Sequence, residues 1–485
     1  MNRSISRNAI KKISDYLYEI PASFREDMKV PARIFVSEKM LEKALSDNSL
    51  WQLVNVATLP GIQKYALAMA DIHQGYGFPI GGIAAVDIAN EGAISPGGIG
   101  YDINCGIRLL ASNNFFEEVK PKIKDVAFSI FNAVPSGTGK GGAISLKTKE
   151  LEKVLQKGAR YLLEKGYGIK SDIEFCEEKG AFENVDFTQV SSKAKKRGQE
   201  QIGTLGSGNH FLEIQIVDEI FDEKAAAILG LEKNQVTIMI HCGSRGLGHQ
   251  VCTDYVHEIL SKQDEWGYNL VDRQLACAPF NSIEGQNYLQ AMKAAANFAW
   301  ANRHMITHRV REVWQSVFGP DCKISTVYDV SHNIGKCEFY EIDGKRKELF
   351  VHRKGATRAF GPNHKDIPLE YRPIGQPVLI PGDMGTASYV LLGTQKSIDE
   401  SFGSICHGAG RAMSRTKAKK QTKGFLLRQE LEEKGITVCC NSDRGLAEEA
   451  PIAYKNIDEV INVVTGAKLA KKVARLKPIA VIKGD

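Results

Sequence analysis

Glycine placement is the feature that most constrains this chain. Its 45 glycines gather in separate loops: GYGFPIGG at 75–82, GAISPGGIGYDINCG at 92–106, GTGKGG at 137–142, GTLGSG at 203–208, and further clusters at 243–248, 382–385 and 403–410. Several loops border short runs rich in Val, Ile and Thr (HFLEIQIV, QVTIMIH, KISTVYDVSH, GQPVLIPG), which read as strands. Helical stretches lie between them, such as KTKELEKVLQKGARYLLEKG and the long segment 287–318, which stops at Gly319-Pro320. The mixture is irregular, so an α+β fold is expected and not a regular βαβ alternation. No internal repeat is present, which excludes solenoids and propellers.

The opening residues, MNRSISRNAIKKISDYLYEI, lack the apolar core and cleavage site of a signal peptide, and no stretch approaches the roughly 20 apolar residues of a membrane span. A cytoplasmic protein with no membrane partner is therefore expected. Ten cysteines without a CxxC pair suit reduced thiols buried as small apolar residues, with one or two left for a metal. The net charge of +6 is too small to mark a nucleic-acid binder. Local basic runs say more: KAKKR at 193–197, RTKAKKQTK at 415–423 and KLAKKVARLK at 468–477 can track phosphates, or form solvated helix faces.

Polar residues gather where the strands end. In PGGIGYDINCGIR, Asp102 and Cys105 stand three apart between glycines, and a thiolate there can bridge two ions. GSGNHFLEI offers Asn209, His210 and Glu213; with a strand beginning here, His210 and Glu213 face opposite sides and serve two parts of one site. HCGSRGLGHQ offers His241 and Arg245, and DVSHN offers His332 and Asn333. Imidazoles with Asp and Cys suit manganese, iron, cobalt or zinc better than magnesium or calcium. SFGSICHGAGRAMSR places His407 among glycines, including Gly408 and Gly410, that admit a bulky ligand, with Arg411 and Arg415 to hold phosphates. A histidine can serve as nucleophile in a covalent intermediate. The pair His304 and His308 lacks the glutamate of a metalloprotease helix and is read as structural.

Together PGGIGYDINCGIRL, GTLGSGNHFLEI, HCGSRGLGHQ, DVSHN, HRKGATRAF, FGSICHGAGRAMSR and LKPIAVIKG resemble the RtcB family of GTP-dependent RNA-splicing ligases. The matching motifs run from about Asp71 to Lys483. The resemblance implies an α+β catalytic domain, 1–485, with a central metal- and nucleotide-binding cleft, in place of the roughly three domains that the length allows. It implies joining of an RNA end bearing a 2′,3′-cyclic phosphate or 3′-phosphate to a 5′-hydroxyl end, in tRNA splicing or RNA repair, using GTP and two Mn²⁺ ions. The cyclic phosphate is opened, a histidine is guanylylated, GMP passes to the RNA 3′-phosphate, and the 5′-hydroxyl expels it.

Carried over residue by residue, the resemblance makes His407 the guanylylated histidine and Asp71 the group that orients it. Cys105 would bridge the ions, one completed by Asp102 and His210, the other by His241 and His332. Asn209, Asn333, Glu213, Tyr454 and Lys483 would contact the nucleotide, the last three reading guanine, with Gly408 and Gly410 beside it. Asp383, where the family commonly carries serine, would accept a hydrogen bond from the nucleoside. Arg197, Arg245, Lys354, Arg411 and Arg415 would hold phosphate or RNA backbone. An archease-type activator is a further implied partner. Two rivals remain at this level: a metal-dependent cyclic phosphodiesterase without ligation, and a non-catalytic RNA-binding subunit.

Overall fold

In the computed structural model, which describes residues 5–137 and 141–484, the chain folds as a mixed α+β protein built around two large sheets. Thr138, Gly139 and Lys140 of the GTGKGG loop lie outside the described residues. The first sheet has seven strands in the order Lys11–Ser14, Leu17–Ile20, Ala32–Phe35, Ala66–His73, Ile80–Asp87, Lys345–Lys354, Asn333–Ile342. The second has eight. Its main path runs Ile324–Ser331, Gly106–Phe115, Gln235–Cys242, Phe211–Ile220, Ala470–Lys483, Ser388–Gly393, Pro377–Ile380, and Thr437–Cys439 joins Ala470–Lys483 in parallel.

Gln235–Cys242 is buried at every position, as suits a β-branched run with a strand on either side. Ile324–Ser331 belongs to one sheet and Asn333–Ile342 to the other, so His332 is the joint between them. Its backbone is pinned from both sides, its N–H donating to Cys105 O at 2.8 Å and its carbonyl accepting from Ala356 N at 3.0 Å.

The long helix runs Ile283–Phe318, 36 residues, or about 54 Å at 1.5 Å per residue. Ser282 caps its start by accepting from Gly285 N at 3.0 Å, and Gly319 ends it at φ 104°. A fully buried Arg303 in mid-helix reaches Asp329 of the eight-stranded sheet at 2.7 Å and donates to the carbonyls of Asn104 and Cys242 at 2.7 and 2.8 Å. Arg108 meets the same carboxylate at 2.7 Å. This buried pairing ties the helix to the turn that carries Asp102 and Cys105 and to the end of the strand that carries His241.

Two sequence expectations change in detail. The stretch 147–166 is two helices, Thr148–Lys157 and Ala159–Glu164, because Gly158 between them sits at φ 57°, where a Cβ would lie 2.3 Å from Gly180 O. The basic run at 468–477 falls on the strand Ala470–Lys483 and not on a helix face, and Arg475 and Lys477 are taken up by Asp218 at 2.5 and 2.8 Å. His304 and His308 brace the turn at Tyr167 and Gly168. All ten cysteines are free thiols, seven of them buried. Among the described residues no helix is long and apolar enough to cross a membrane.

Candidate active site

The DINCG turn is shaped by Asn104, which sits at φ 54°, a conformation asparagine tolerates better than most residues. Its side chain is held on both sides, donating to Ala296 O at 2.8 Å and accepting from Arg303 at 3.2 Å. The turn brings Asp102 and Cys105 to one side, facing the ends of three strands. There Cys105 Sγ lies 3.4 Å from His210 Nε2 and 3.2 Å from His241 Nε2. His210 Nε2 is 2.7 Å from Asp102 Oδ2, and His241 Nε2 is 3.3 Å from His332 Nε2. Two sets of donor atoms result, Asp102–Cys105–His210 and Cys105–His241–His332, each within 4.8 Å, with the thiol common to both.

The donor chemistry fits metal ions. Burial holds His241 and His332 neutral, well below the ordinary imidazole range, with neighbouring positive groups adding to it. Their Nε2 atoms lie 3.3 Å apart, close enough for one neutral ring to donate to the other or for both to offer lone pairs to one cation. Burial, with Asp102 beside it, also pushes the Cys105 thiol up to about 12, whereas a bound transition ion would take it as thiolate.

His407 stands on the far side of His332, the two rings 5.0 Å apart. It follows the short strand Ser404–Cys406, which pairs with Ala356–Arg358. Asp71, from the strand Ala66–His73, turns its Oδ2 to both the His407 backbone N–H at 2.8 Å and Nδ1 at 2.5 Å. Burial alone would raise the Asp71 carboxyl, but His407 and Lys455 hold it below the ordinary range. Gly410, at φ 69°, lets the loop close over Asp71, since a Cβ there would lie 2.3 Å from Asp71 O.

A cavity of about 340 Å³ opens beside His407, lined by Asn209, Glu213, His241, His332, Asn333, Asp383, Gly408, Gly410, Arg411, Arg415, Tyr454 and Lys483 among others. His210 ends just before the strand Phe211–Ile220, so it joins the donor cluster while Glu213 faces the cavity. Burial raises Glu213 to about 8, and Gln215 donates to it at 2.8 Å. Burial lowers Lys483. Asn333 braces the loops around the donor cluster, donating to Asp102 O at 3.2 Å and accepting from Gly355 N at 2.8 Å. Asp383 is buried and raised by that burial, and its Oδ1 accepts from Gly385 N at 2.9 Å.

The five basic residues divide. Arg411 and Arg415 line the cavity. Arg245 flanks the donor cluster, donating to Gly137 O at 2.7 Å and Thr204 Oγ1 at 3.1 Å, and Arg197 donates to Gln250 at 3.0 Å. Lys354 is buried against Tyr76 O at 2.5 Å and lowered by burial to about 7. These last three do not line the cavity.

Two residues had no motif to announce them. Glu449 is 1 % exposed and gathers Arg411 at 2.7 Å, Arg415 at 2.8 Å and the Tyr454 hydroxyl. Lys455 donates to the carbonyls of Ala70 and Ile72 on either side of Asp71. Their signal in the sequence is only adjacency: Lys455 follows Tyr454, and Glu449 sits in an otherwise unremarked acidic pair.

A family model described as "tRNA-splicing ligase RtcB" matches residues 52–484. Curated relatives named tRNA-splicing ligase RtcB include one from Archaeoglobus fulgidus, 54% identical over 98% of this chain and 99% of its own length. Others come from Thermococcus kodakarensis, 52% identical over 98% and 99%, and Methanococcus maripaludis, 50% identical over 99% and 100%.

Proposed function

This chain belongs to the RtcB family and has the RNA-ligase activity in tRNA splicing that the family name describes, and on that premise we propose that it joins RNA 3′-phosphate or 2′,3′-cyclic phosphate ends to 5′-hydroxyl ends by way of a guanylylated His407. The observation that carries this reading is the placement of His407. Its Nδ1 is held by Asp71 at 2.5 Å, which leaves Nε2 as the free nucleophilic nitrogen in a cavity shared with Glu213 and Lys483.

The steps follow from that placement. The His407 Nε2 lone pair attacks the α-phosphorus of GTP, an N–P bond forms, and the bond to the β-phosphate oxygen breaks as pyrophosphate leaves. Asp71 accepts the Nδ1 proton's hydrogen bond and stabilises the cationic ring. The RNA 3′-phosphate then attacks the same phosphorus and the N–P bond breaks, giving RNA-(3′)pp(5′)G. Finally the 5′-hydroxyl oxygen attacks the RNA 3′-phosphorus, the new phosphodiester forms as the bond from that phosphorus to the GMP phosphate oxygen breaks, GMP leaves with the electron pair, and the hydroxyl proton passes to solvent. A 2′,3′-cyclic end first takes up water.

Glu213 and Lys483 give the guanine preference a physical basis. An ionised carboxylate accepts from guanine N–H groups and an ammonium donates to O6, whereas adenine presents the opposite polarity. Asn209, Asn333, Asp383, Gly408, Gly410 and Tyr454 complete the nucleotide cradle. Arg411 and Arg415 take phosphate at the cavity, and Arg197, Arg245 and Lys354 extend the basic approach.

Two divalent ions, read as Mn²⁺, would be held by Asp102, Cys105 and His210 and by Cys105, His241 and His332, and when bound they supply Lewis-acid stabilisation of phosphate charge. Because the residues of this one site run from Asp71 to Lys483, we read residues 1–485 as a single catalytic unit. It would act in the cytoplasm, with an archease-type activator as a candidate partner.

Incubation with GTP labelled at the α-phosphate tests the reading. Label on the unmodified protein and none on His407→Ala is the expected result; no label on the former, or equal label on both, overturns it.

A further inference from the structure

A second cavity, of about 510 Å³, opens along the outer strand of the seven-stranded sheet. That strand, Asn333–Ile342, pairs with Lys345–Lys354 on one side and ends the sheet on the other. Its first residue, Asn333, lines the nucleotide cavity, and residues 335–340 line the second. At roughly 3.3 Å per residue, Phe339 lies about 20 Å along the strand from Asn333.

The charges around this cavity are not evenly committed. Two of its carboxylates are engaged: Glu338 takes two bonds from Arg353 at 2.9 and 2.7 Å, and Glu178 lies 2.8 Å from Lys336, whereas Asp366 has beside it only His364, 3.9 Å away and lowered by burial. Among the described residues, the lining cations Lys293, Arg346 and Lys365 have no carboxylate within ion-pair distance. Arg358 is 1 % exposed, pairs with Glu177 and Glu178 through Nε and Nη1, and has no hydrogen-bond partner at Nη2. With Lys293, Arg346 and Lys365 unpaired against one unpaired carboxylate, Asp366, the cavity offers net positive charge to a ligand.

One accessible aromatic face accompanies that charge: Phe339 is 50 % exposed with the Arg346 guanidinium 4.4 Å from its ring, whereas Phe360, 2 % exposed, is already covered by Arg358 at 4.7 Å. Cations for phosphates beside flat faces for bases are what single-stranded nucleic acid binds. We propose that this cavity is a second RNA-binding site, taking a single-stranded stretch of the substrate at a distance from the reacting end. The inference rests on the RNA-ligase reading and adds a site that the chemistry itself does not use.

The test compares RNAs of about 30 and about 5 nucleotides, both ending in 3′-phosphate, with the combined variant Lys293→Ala, Arg346→Ala and Lys365→Ala. With the long RNA, Kd should rise about tenfold or more, and the dependence of log K on log salt should flatten by about 2, the equivalent of three phosphate contacts. Binding of the short RNA and guanylylation of His407 should stay unchanged. Phe339→Ala should weaken the long RNA about fivefold or more at an unaltered salt slope. Equal loss for both RNAs, or no loss for either, overturns the proposal. So does displacement of the long RNA from the second site by GMP in a His407→Ala background, which would assign the cavity to free nucleotide. If the combined variant lost guanylylation, Arg346→Ala alone carries the same comparison. Failure of the unmodified protein to take label would overturn the His407 reading and leave this comparison standing.

Discussion

Asp71 and His407, 336 residues apart in sequence, meet through one carboxylate oxygen: Asp71 Oδ2 accepts from both the backbone N–H and Nδ1 of His407, at 2.8 and 2.5 Å. The double contact fixes the ring's plane and its tautomer together. Asp71→Asn would present an amide where an acceptor is needed. Guanylylation measured in single turnover should fall about 10²- to 10⁴-fold, while GTP affinity changes about threefold or less. An equal loss in both would mean that Asp71 holds the cavity and not the nucleophile.

Cys105 is the atom common to both donor sets. Cys105→Ser replaces a soft thiolate by a hydroxyl and should lower bound metal for both positions, whereas His210→Ala and His332→Ala should each remove one set's share. Metal content after dialysis, measured by elemental analysis, separates these outcomes. A Cys105→Ser protein that keeps its full metal complement would rule out the shared-ligand role.

Glu213 is raised by burial to about 8 from an ordinary 4.5, so the guanine-reading role proposed for it would link stability to nucleotide choice. Between those two pH values the folded protein keeps a proton that the unfolded chain has released, so stability falls as pH rises through this window. Glu213→Gln removes the liability and should raise stability at pH 7 by on the order of 2 kcal/mol, flattening the decline of Tm from pH 5 to 8. The same change should weaken GTP binding at least about tenfold and narrow the preference over ATP. In the unmodified protein GTP affinity should rise with pH and level off above about 8, as the acceptor carboxylate forms.

Asp329 pairs with both Arg108 and Arg303 at full burial. Asp329→Ala strands two buried guanidinium groups and should cost about 3–5 kcal/mol in chemical denaturation. Because Arg303 also holds the carbonyls of Asn104 and Cys242, metal binding should weaken as well. Loss of stability with unaltered metal affinity would confine Arg303 to the core.

Much of this was legible beforehand. The strand runs and the α+β class follow from local composition, since β-branched residues between glycine turns have few other folds open to them. The donor residues Asp102, Cys105, His210, His241 and His332 each lie in a short motif, so their chemistry could be named one by one. The run 468–477 shows the limit: its lysines and arginines look alike in sequence whether they meet RNA or, as here, Asp218 and Glu219 across a sheet.

By itself the sequence determined which side chains with ligand, nucleophile and phosphate chemistry the chain possesses, and the glycine turns that present them, because these are properties of neighbouring residues. Only the tertiary structure decided which of them meet. Sheet register sets His241 against Cys105, the passage of the chain between two sheets delivers His332, and burial of charge makes Glu449 the partner of Arg411, Arg415 and Tyr454. Apart from Glu449 and Tyr454, which are five residues apart, such meetings depend on packing between distant segments that buries one charge only where another compensates it, and no local window of sequence contains both members.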